Sequence, residues 1–541
     1  MKTDLQDVPA GTNFRSDVCI VGAGVAGLLL ATRLAKLGFS VNLLEAGGGN
    51  LEERSQELYN VAMAEANYAG ATEARFRVFG GSSTRWGGQL LPLPDEVFQG
   101  RDALGGTGWP ISRADIESYY AEVQDVMGVN TLPFTADLLK TKGHATILNS
   151  PDIRLRFSKW ASFSRRNLAR TLGRECLASG SITVFLHANV VAIELRDSAD
   201  AVQSVTARDY EGREFVFRAS EFILTAGTIE TCRLLLASRS VQPGGVGNGN
   251  DLVGRYFHDH VSVPFITLAG PARAEVLRRF APYFFDGTLH TPKLEASPEL
   301  QARHGMLAVM AHIALEEPEE SGLGAVRQVL RSLQRREWLT PPGKLLLGLP
   351  RGAVDIASAW YGMKFRQRRY VTPGAKVQIK IDTEQMPSAI NRIRLENRVD
   401  AVGMPKAVID WRVSADEKRT VATFAGELKR IFAAEGISGM VWPQDVPAGM
   451  DAAISHSHDT YHSMGGTRFG ASEREGVVDA DLRVHGVENL FVASCSVFPS
   501  GGSSNPTFTL MALTLRLAKH LNARRNSVAT ATSVAAEVAA S

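Results

Sequence analysis

Two groups of residues in this 541-residue chain have types and spacings that suit chemistry. In the first, His456, His458 and His462 fall within seven residues, and Asn505-Pro506 follows 43 positions after His462 (505 − 462). Histidine titrates near neutral pH and can take a proton from a substrate at working pH. A neutral amide such as Asn505 can hold an oxygen in place without competing for that proton. The alternative is structural: His462 as a hydrogen-bonded core histidine, and Asn505 as the N-cap of a helix whose first residue is Pro506. The pairs His456/His458 and His258/His260 have the i, i+2 spacing of ligands on a strand. No cysteine pattern or third carboxylate accompanies them in sequence, so no metal site is expected.

The second group is Gly22-x-Gly24-x-x-Gly27. An apolar run with Val18, Ile20 and Val21 precedes it and reads as a strand. A helical stretch from Val25 to Leu37 follows, Gly38 stops it, and Val41 to Leu44 reads as the next parallel strand. Gly22 permits a tight turn, Gly24 close approach to a pyrophosphate, and Gly27 close packing of helix on strand. The helix N-terminus offers unpaired N–H groups to phosphates. Glu45, at the end of the second strand, is placed to accept hydrogen bonds from ribose hydroxyls and would repel a 2′-phosphate. A dinucleotide site for FAD or NAD, rather than NADP, is expected. A second glycine-rich loop, Gly80 to Gly88, contains Gly81, Ser82, Ser83, Trp86 and Gly87, and can turn backbone amides toward a ligand around a buried Trp86 platform.

The elements that must carry these residues are legible in outline. Ser112 is expected to cap a helix with Asp115 three residues on. Ile182 to Leu195, Val202 to Tyr210 and Glu214 to Phe217 read as a three-stranded meander, with Val190 or Val191 at its root. Phe222 to Leu236 is again strand, glycine turn and helix. From about 264 to 448 the strands become longer and two-sided (Met306 to Leu315, Lys376 to Thr383, Asn391 to Glu396, Lys406 to Trp411), as in an antiparallel sheet with one face free to line a cavity. Arg327 to Arg369 is basic, is interrupted by Pro341-Pro342-Gly343, and is read as a lid or solvated surface helix pair rather than a membrane-surface element. Residues 1 to 16 and the Ala/Ser/Thr/Val-rich tail after Arg525 are expected to be loose.

With 59 basic and 57 acidic residues, the composition implies no nucleic-acid or anionic-membrane partner. No apolar run is long enough for a membrane span, and a cytoplasmic location is expected. Cys19, Cys176, Cys232 and Cys495 are far apart and suggest neither zinc nor a disulfide framework.

Five separated segments, Gly22 to Glu45, Gly80 to Gly88, Leu224 to Arg233, His462 to Gly470 and Asn489 to Arg516, match in order the pattern of the glucose-methanol-choline (GMC) flavoprotein oxidoreductases, which the chain resembles. The resemblance implies an α/β fold: an FAD-binding Rossmann-like βαβ domain with an inserted, mainly antiparallel-sheet substrate domain (α+β). The FAD domain would comprise 14–110, 165–263 and 449–525, and the substrate domain 111–164 and 264–448. Residues 1–13 and 526–541 would be flexible termini.

The implied activity is oxidation of an alcohol CH–OH by hydride transfer to flavin N5, with His462 as base and Asn505 as its partner. This His–Asn combination resembles the cholesterol-oxidase and pyranose-oxidase branches more than the His–His glucose-oxidase branch. FAD contacts are expected at Gly22, Gly24, Gly27, Glu45, Gly81, Ser82, Ser83, Trp86, Gly87, Val190, Ala226, Gly227, Ser494, Pro506 and Thr507. The helix at Pro506 would direct its positive end at the flavin. Pyranose oxidases carry Ser-Thr-His-Trp, whose histidine bonds covalently to the flavin. This chain has Ser83-Thr84-Arg85-Trp86, so non-covalent FAD is expected. Phe257 to His260 resembles a structural turn beside the flavin, and Gln385 is a candidate substrate contact. A sugar or glycoside hydroxyl is the leading substrate, a lipophilic or sterol-like alcohol the alternative, and a GMC-like lyase or redox-silent FAD protein the alternative of another class. The electron acceptor would be oxygen, a quinone or a cytochrome, three alternatives among which the residues do not choose.

Overall fold

The structure is a computed structural model that describes residues 1–64, 68–101, 108–318, 321–335, 342–442 and 457–540. His456 and Pro341 lie outside the described residues. An eight-stranded sheet contains Lys2–Asp4, Ile182–Leu186, Val41–Leu44, Asn13–Val21, Glu214–Leu224, Val202–Arg208 and Asn189–Leu195 in that order, with Leu490–Val492 also paired to Glu214–Leu224. The strands bearing the fingerprint pair in parallel, Val18 to Val21 against Val41 to Leu44 on one side and Glu221 to Leu224 on the other. Their side chains are almost wholly buried, as expected when helices cover a parallel sheet. The helix Val25–Lys36 leaves the glycine turn and lies over this sheet.

Several boundaries differ from the sequence reading, each for a local reason. Ile182 to Leu195 is two strands, because the chain turns at His187 with φ 53°. The meander's last strand does not stop at Phe217. It runs to Leu224, antiparallel to Val202–Arg208 at its start and parallel to Asn13–Val21 along its length. The N-terminal segment is docked: Lys2–Asp4 pairs with Val184 to Leu186, Leu5 is buried, and His187 Nδ1 lies 2.8 Å from Asp4 Oδ2. Three residues of edge strand are too short to show periodicity. At the other end the helix Thr507–Ala540 continues through the expected loose tail, whose many alanines are strong helix formers. The Ser112 helix starts at Ala114, and Asp115 reaches back to accept from the Ser112 amide and hydroxyl.

A second eight-stranded sheet is antiparallel throughout, in the order His458–Asp459, His260–Leu268, Lys376–Glu384, Val309–Glu316, Thr288–Ala296, Ile153–Trp160 and Gln89–Leu90, with Tyr283–Phe285 added to Thr288–Ala296. Two of the expected strands are not in it. Arg392–Val399 and Pro405–Asp410 form a small sheet with Ala62–Met63. The basic segment is a helix pair, Gly322–Arg335 and Pro342–Phe365, as its proline break suggested.

Two tests follow from this packing. A Cβ at Gly27 would lie 1.9 Å from the Gly22 carbonyl oxygen, whereas one at Gly24 meets nothing within 4 Å. Gly27→Ala should therefore cost about 1–3 kcal/mol of stability and lower the thermal midpoint of ligand-stripped protein, while Gly24→Ala leaves it near wild type, as read by circular dichroism melts. The fold also buries histidines: burial pulls His258 down to about 4 and, with the Lys159 charge, His290 to about 3. Below pH 6.5 the unfolded chain takes up protons that these two refuse, so each should remove about 1.4 kcal/mol of stability per pH unit as pH falls toward 5. Burial also raises carboxyls, Asp259 to about 7 and Glu45, Glu221, Glu417 and Asp459 in the same direction, which acts in the opposite sense, but burial lowers His260, His312, His462 and His520 as it does His258 and His290. Melts from pH 7 to 5 should show a falling midpoint, and a flat profile would contradict neutral burial.

Candidate active site

His462 and Asn505 come together from opposite directions. The segment after His462 is stitched to the end of the parallel sheet: Gly465 N donates to Cys495 O, Thr467 N to Ser496 O, and Thr228 Oγ1 to Ser463 O. Asn505 stands at the end of a loop held by the antiparallel sheet. Glu384 accepts from Gly502 N at 2.9 Å, Glu295 accepts from Ser503 Oγ, and Arg156 Nη1 donates to Ser504 Oγ at 3.0 Å. Arg101 pairs with Glu384, and Arg154 and Arg156 pair with Glu295, so these buried carboxylates are neutralised where they grip the loop.

The result is a direct contact, Asn505 Nδ2 to His462 Nε2 at 3.0 Å. Asn505 is therefore not a helix cap. The Thr507–Ala540 helix starts one residue later than expected, with Leu510 N donating to Pro506 O. Asn505 Oδ1 is buried with no partner among the described residues.

The surrounding partners assign the proton positions. His260 Nε2 faces the Gly502 carbonyl at 2.9 Å and must carry a proton there, which leaves its Nδ1 an acceptor. That Nδ1 lies 3.0 Å from His462 Nδ1. Thr460 Oγ1 gives its one proton to Asp259 Oδ1 at 2.9 Å and lies 2.7 Å from the same His462 Nδ1. His462 Nδ1 therefore carries the proton, and its Nε2 keeps a free electron pair facing Asn505. Burial, then the neighbouring His260, lowers His462 to about 3, so it is neutral at physiological pH.

Asp259 holds this arrangement. Its carboxylate accepts from Tyr68 Oη at 2.6 Å, His260 N at 2.6 Å, Thr460 Oγ1, Thr460 N, and His462 N at 2.8 Å. Tyr461, between two of these donors, has φ 66°, a strained value for a bulky residue. Asp259, His260 and His462 offer atoms within 4.8 Å of one another. The two Nδ1 atoms, however, are turned on each other and Asp259 is taken by five donors, which suits proton holding.

A cavity of about 270 Å³ opens on this pair. Its wall is one face of the antiparallel sheet, where Lys293, His312, Met310, Lys380, Asp382 and Ser262 stand in adjacent register, closed by Gln89, Ser503 and the 458–462 loop. His312 Nδ1 lies 3.0 Å from Asp382 Oδ2. Burial lowers Lys293 to about 8. Burial alone would raise the Asp382 carboxyl, but His312 and Lys293 outweigh it and hold it below the ordinary range.

The nucleotide motifs also converge. A Cβ on Gly22, which has φ 107°, would meet Thr225 O at 2.8 Å and Ala226 Cα at 3.0 Å, so the Ala226-Gly227 turn lies against the fingerprint. Gly81 lies against Gly24 in the same way. Glu45 is buried and accepts from Ala23 N at 3.2 Å and Gly47 N at 2.8 Å, with one electron pair left on each oxygen. Ser494 caps the turn at Cys495–Val497. Trp86 is half-buried, its Nε1 donating to Arg166 O, and Gly87 packs on Trp160.

The Ser83 hydroxyl is engaged within the protein, its Oγ donating to Gly80 O and accepting from Leu168 N. One expectation needs correction. Gln385 does not line the cavity: it is fully buried, with Oε1 accepting from Asp259 N and Trp411 Nε1 and Nε2 donating to Arg412 O. Val190 is buried in the core at the start of its strand. Sequence reasoning missed Asp259, Thr460, Lys293, His312, Lys380 and Asp382. The one available signal was the alternation of Lys380, Asp382 and Glu384 with Ile379 and Ile381.

Comparison with known proteins agrees with this geometry. Residues 17–244 match the family model described as FAD dependent oxidoreductase, and residues 387–514 the one described as GMC oxidoreductase. Paromamine 6'-oxidase of Streptomyces fradiae is 24% identical over 93% of this chain and 90% of its own length. The fructose dehydrogenase large subunit of Gluconobacter japonicus is 22% identical over 93% and 97%. C-glycoside 3-oxidase of Arthrobacter globiformis is 29% identical over 28% of each chain. The fold is shared with formate oxidase of Aspergillus oryzae RIB40, with TM-score 0.58 and 18% identity over 96% of this chain and all of that one. It is shared too with pyridoxine 4-oxidase of Mesorbium loti, with TM-score 0.57 and 16% identity over 93% and 98%. With the nucleotide fingerprint and the His462–Asn505 pair in one fold, these matches place the chain in the GMC family of FAD-dependent oxidoreductases, enzymes that act on alcohols.

Proposed function

We propose that the enzyme oxidises a hydroxyl of a sugar or glycoside, with His462 as base and Asn505 as the group that positions the oxygen. The observation that carries this reading is the 3.0 Å contact between Asn505 Nδ2 and the unprotonated His462 Nε2, beside an Asn505 Oδ1 that is buried without a partner among the described residues. An alcohol entering the cavity would replace this contact. Its proton would pass to Nε2, its oxygen would accept from Nδ2, and Thr460 and His260 would keep the ring oriented from the far side.

FAD, when bound, supplies the hydride acceptor at flavin N5. In this reading Gly22, Gly24, Gly27, Gly81, Ala226 and Gly227 receive its phosphates, and Glu45 the ribose. Ser82, the Ser83 backbone, Trp86, Gly87, Val190 and Ser494 line its path, and Pro506 and Thr507 face its ring end. The open space above Gly24 and the unpaired Asn505 Oδ1 both fit such a ligand. Attachment is non-covalent, because Arg85 stands before Trp86 and offers no nucleophile.

The cavity wall favours a polyhydroxylated substrate over a sterol-like one. Lys293, Lys380, Asp382, His312 and Ser262 offer donors and acceptors to many hydroxyls, whereas a lipophilic alcohol would leave them unsatisfied. The names of the relatives that act on fructose and C-glycosides support the same reading.

His462→Ala should slow anaerobic bleaching of the flavin band by sugar substrates by about 10²–10⁴-fold while FAD content stays at the wild-type level. Bleaching at a near wild-type rate would remove His462 from the base role. Acid precipitation should release the flavin into the supernatant, and a yellow pellet would refute non-covalent binding.

A further inference from the structure

We propose that the outward face of the helix ending at Phe365 docks on an anionic lipid bilayer. Among the described residues thirteen large apolar side chains are exposed, and six of them fall between Val354 and Phe365: Val354, Ile356, Trp360, Tyr361, Met363 and Phe365. Trp360 is 58% exposed and Phe365 61%. To either side of Lys364, these six residues lie along the exposed arc of the helix. Its inner side carries Gly352, which lies against Gly322 of the partner helix, Asp355, which accepts from Gly322 N and Tyr370 Oη, and Gly362, which lies against Arg368 O. The inner side is thus satisfied by polar and backbone contacts, and among the described residues none covers the apolar ones.

The aromatic rings are already arranged. Phe365 lies 5.5 Å from Trp360 and 5.3 Å from Tyr361, and the Arg366 guanidinium stands over Tyr361. Arg368 fixes the base of the helix by donating to Ala281 O and stacking on Tyr283 at 3.6 Å, while Lys364 and Arg366 stay exposed. Tryptophan and tyrosine beside lysine and arginine is the composition of a membrane–water interface.

Charge selects the occupant. Residues 322–369 hold ten of the chain's 59 basic residues and two of its 57 acidic ones, leaving 49 basic against 55 acidic elsewhere. The near-neutral total therefore hides a strongly positive segment on an otherwise acidic molecule. A second copy presenting the same face would bring like charges together, whereas an anionic headgroup layer complements it. Among the described residues no helix is long and apolar enough to cross a membrane, so the contact lies at the surface.

Flotation of the purified full-length holoenzyme with phosphatidylcholine vesicles, with and without about 30% phosphatidylglycerol, tests this. Binding to the phosphatidylglycerol vesicles is expected, weakened by added salt, and reduced by about tenfold or more in Trp360→Ser/Phe365→Ser and in Lys364→Glu/Arg366→Glu. Both variants should keep wild-type flavin content and wild-type turnover with a soluble dye acceptor, since none of the four residues lines the site. Failure of the wild type to float with anionic vesicles, or undiminished flotation of Trp360→Ser/Phe365→Ser, would overturn the proposal. So would a solution dimer that the serine variant converts to monomer, which would make this face an interface between copies.

Discussion

A buried carboxylate is costly unless several donors surround it, and Asp259 has five. Meeting that demand fixes the site. Thr460 and His462 must give their backbone amides to it, which bends the chain through the left-handed conformation at Tyr461 and leaves the His462 ring one place to go. Asp259 is itself anchored, its amide donating to Gln385, which is tied in turn to Trp411 and Arg412. Asp459, on the adjoining strand, takes the amides of Ala69 and Gly70. The histidine loop, the end of the antiparallel sheet and the small three-stranded sheet are therefore coupled through a chain of polar contacts. The orientation of His462 follows from all of them.

The local parts of this design were legible in the sequence. Gly22, Gly24 and Gly27 show their roles because each acts within one turn of chain, and the strand, turn and helix order around them is a short-range pattern. The spacing of His462 and Asn505 mattered because it recurs within a resemblance spread along the chain, and the structure then brought the two side chains to 3.0 Å. Boundaries were read less well. Alternation in Ile182 to Leu195 gives no sign of the turn at His187, which is stabilised by Asp4 and Glu52 from elsewhere in the chain. The start of the Thr507 helix was misplaced because Asn505 looks like a cap and is instead drawn to His462 by a contact across 43 residues.

The cavity wall was hidden for a different reason. Lys293, His312 and Lys380 are neighbours only through the register of three antiparallel strands, Lys293 opposite His312 and His312 opposite Lys380. Nothing short of knowing strand order gathers them. Gln385 shows the converse error: a polar residue at a strand end resembles a ligand contact, yet its amide is consumed inside the protein.

The same sheet face explains how a charged interior can be selective. At its edges the charges are paired. Arg154 and Arg156 meet Glu295, Arg101 meets Glu384, and these pairs hold the 502–504 loop that presents Asn505. Between them, among the described residues, Asp382 Oδ1 is buried without a partner, near a Lys293 whose charged form burial disfavours. A fully paired face would bind nothing, and a fully unpaired one would not fold. On the proposed reading, donors and acceptors left unpaired in the middle make a wall suited to a ligand carrying several hydroxyls, opposite a His462 that burial keeps neutral.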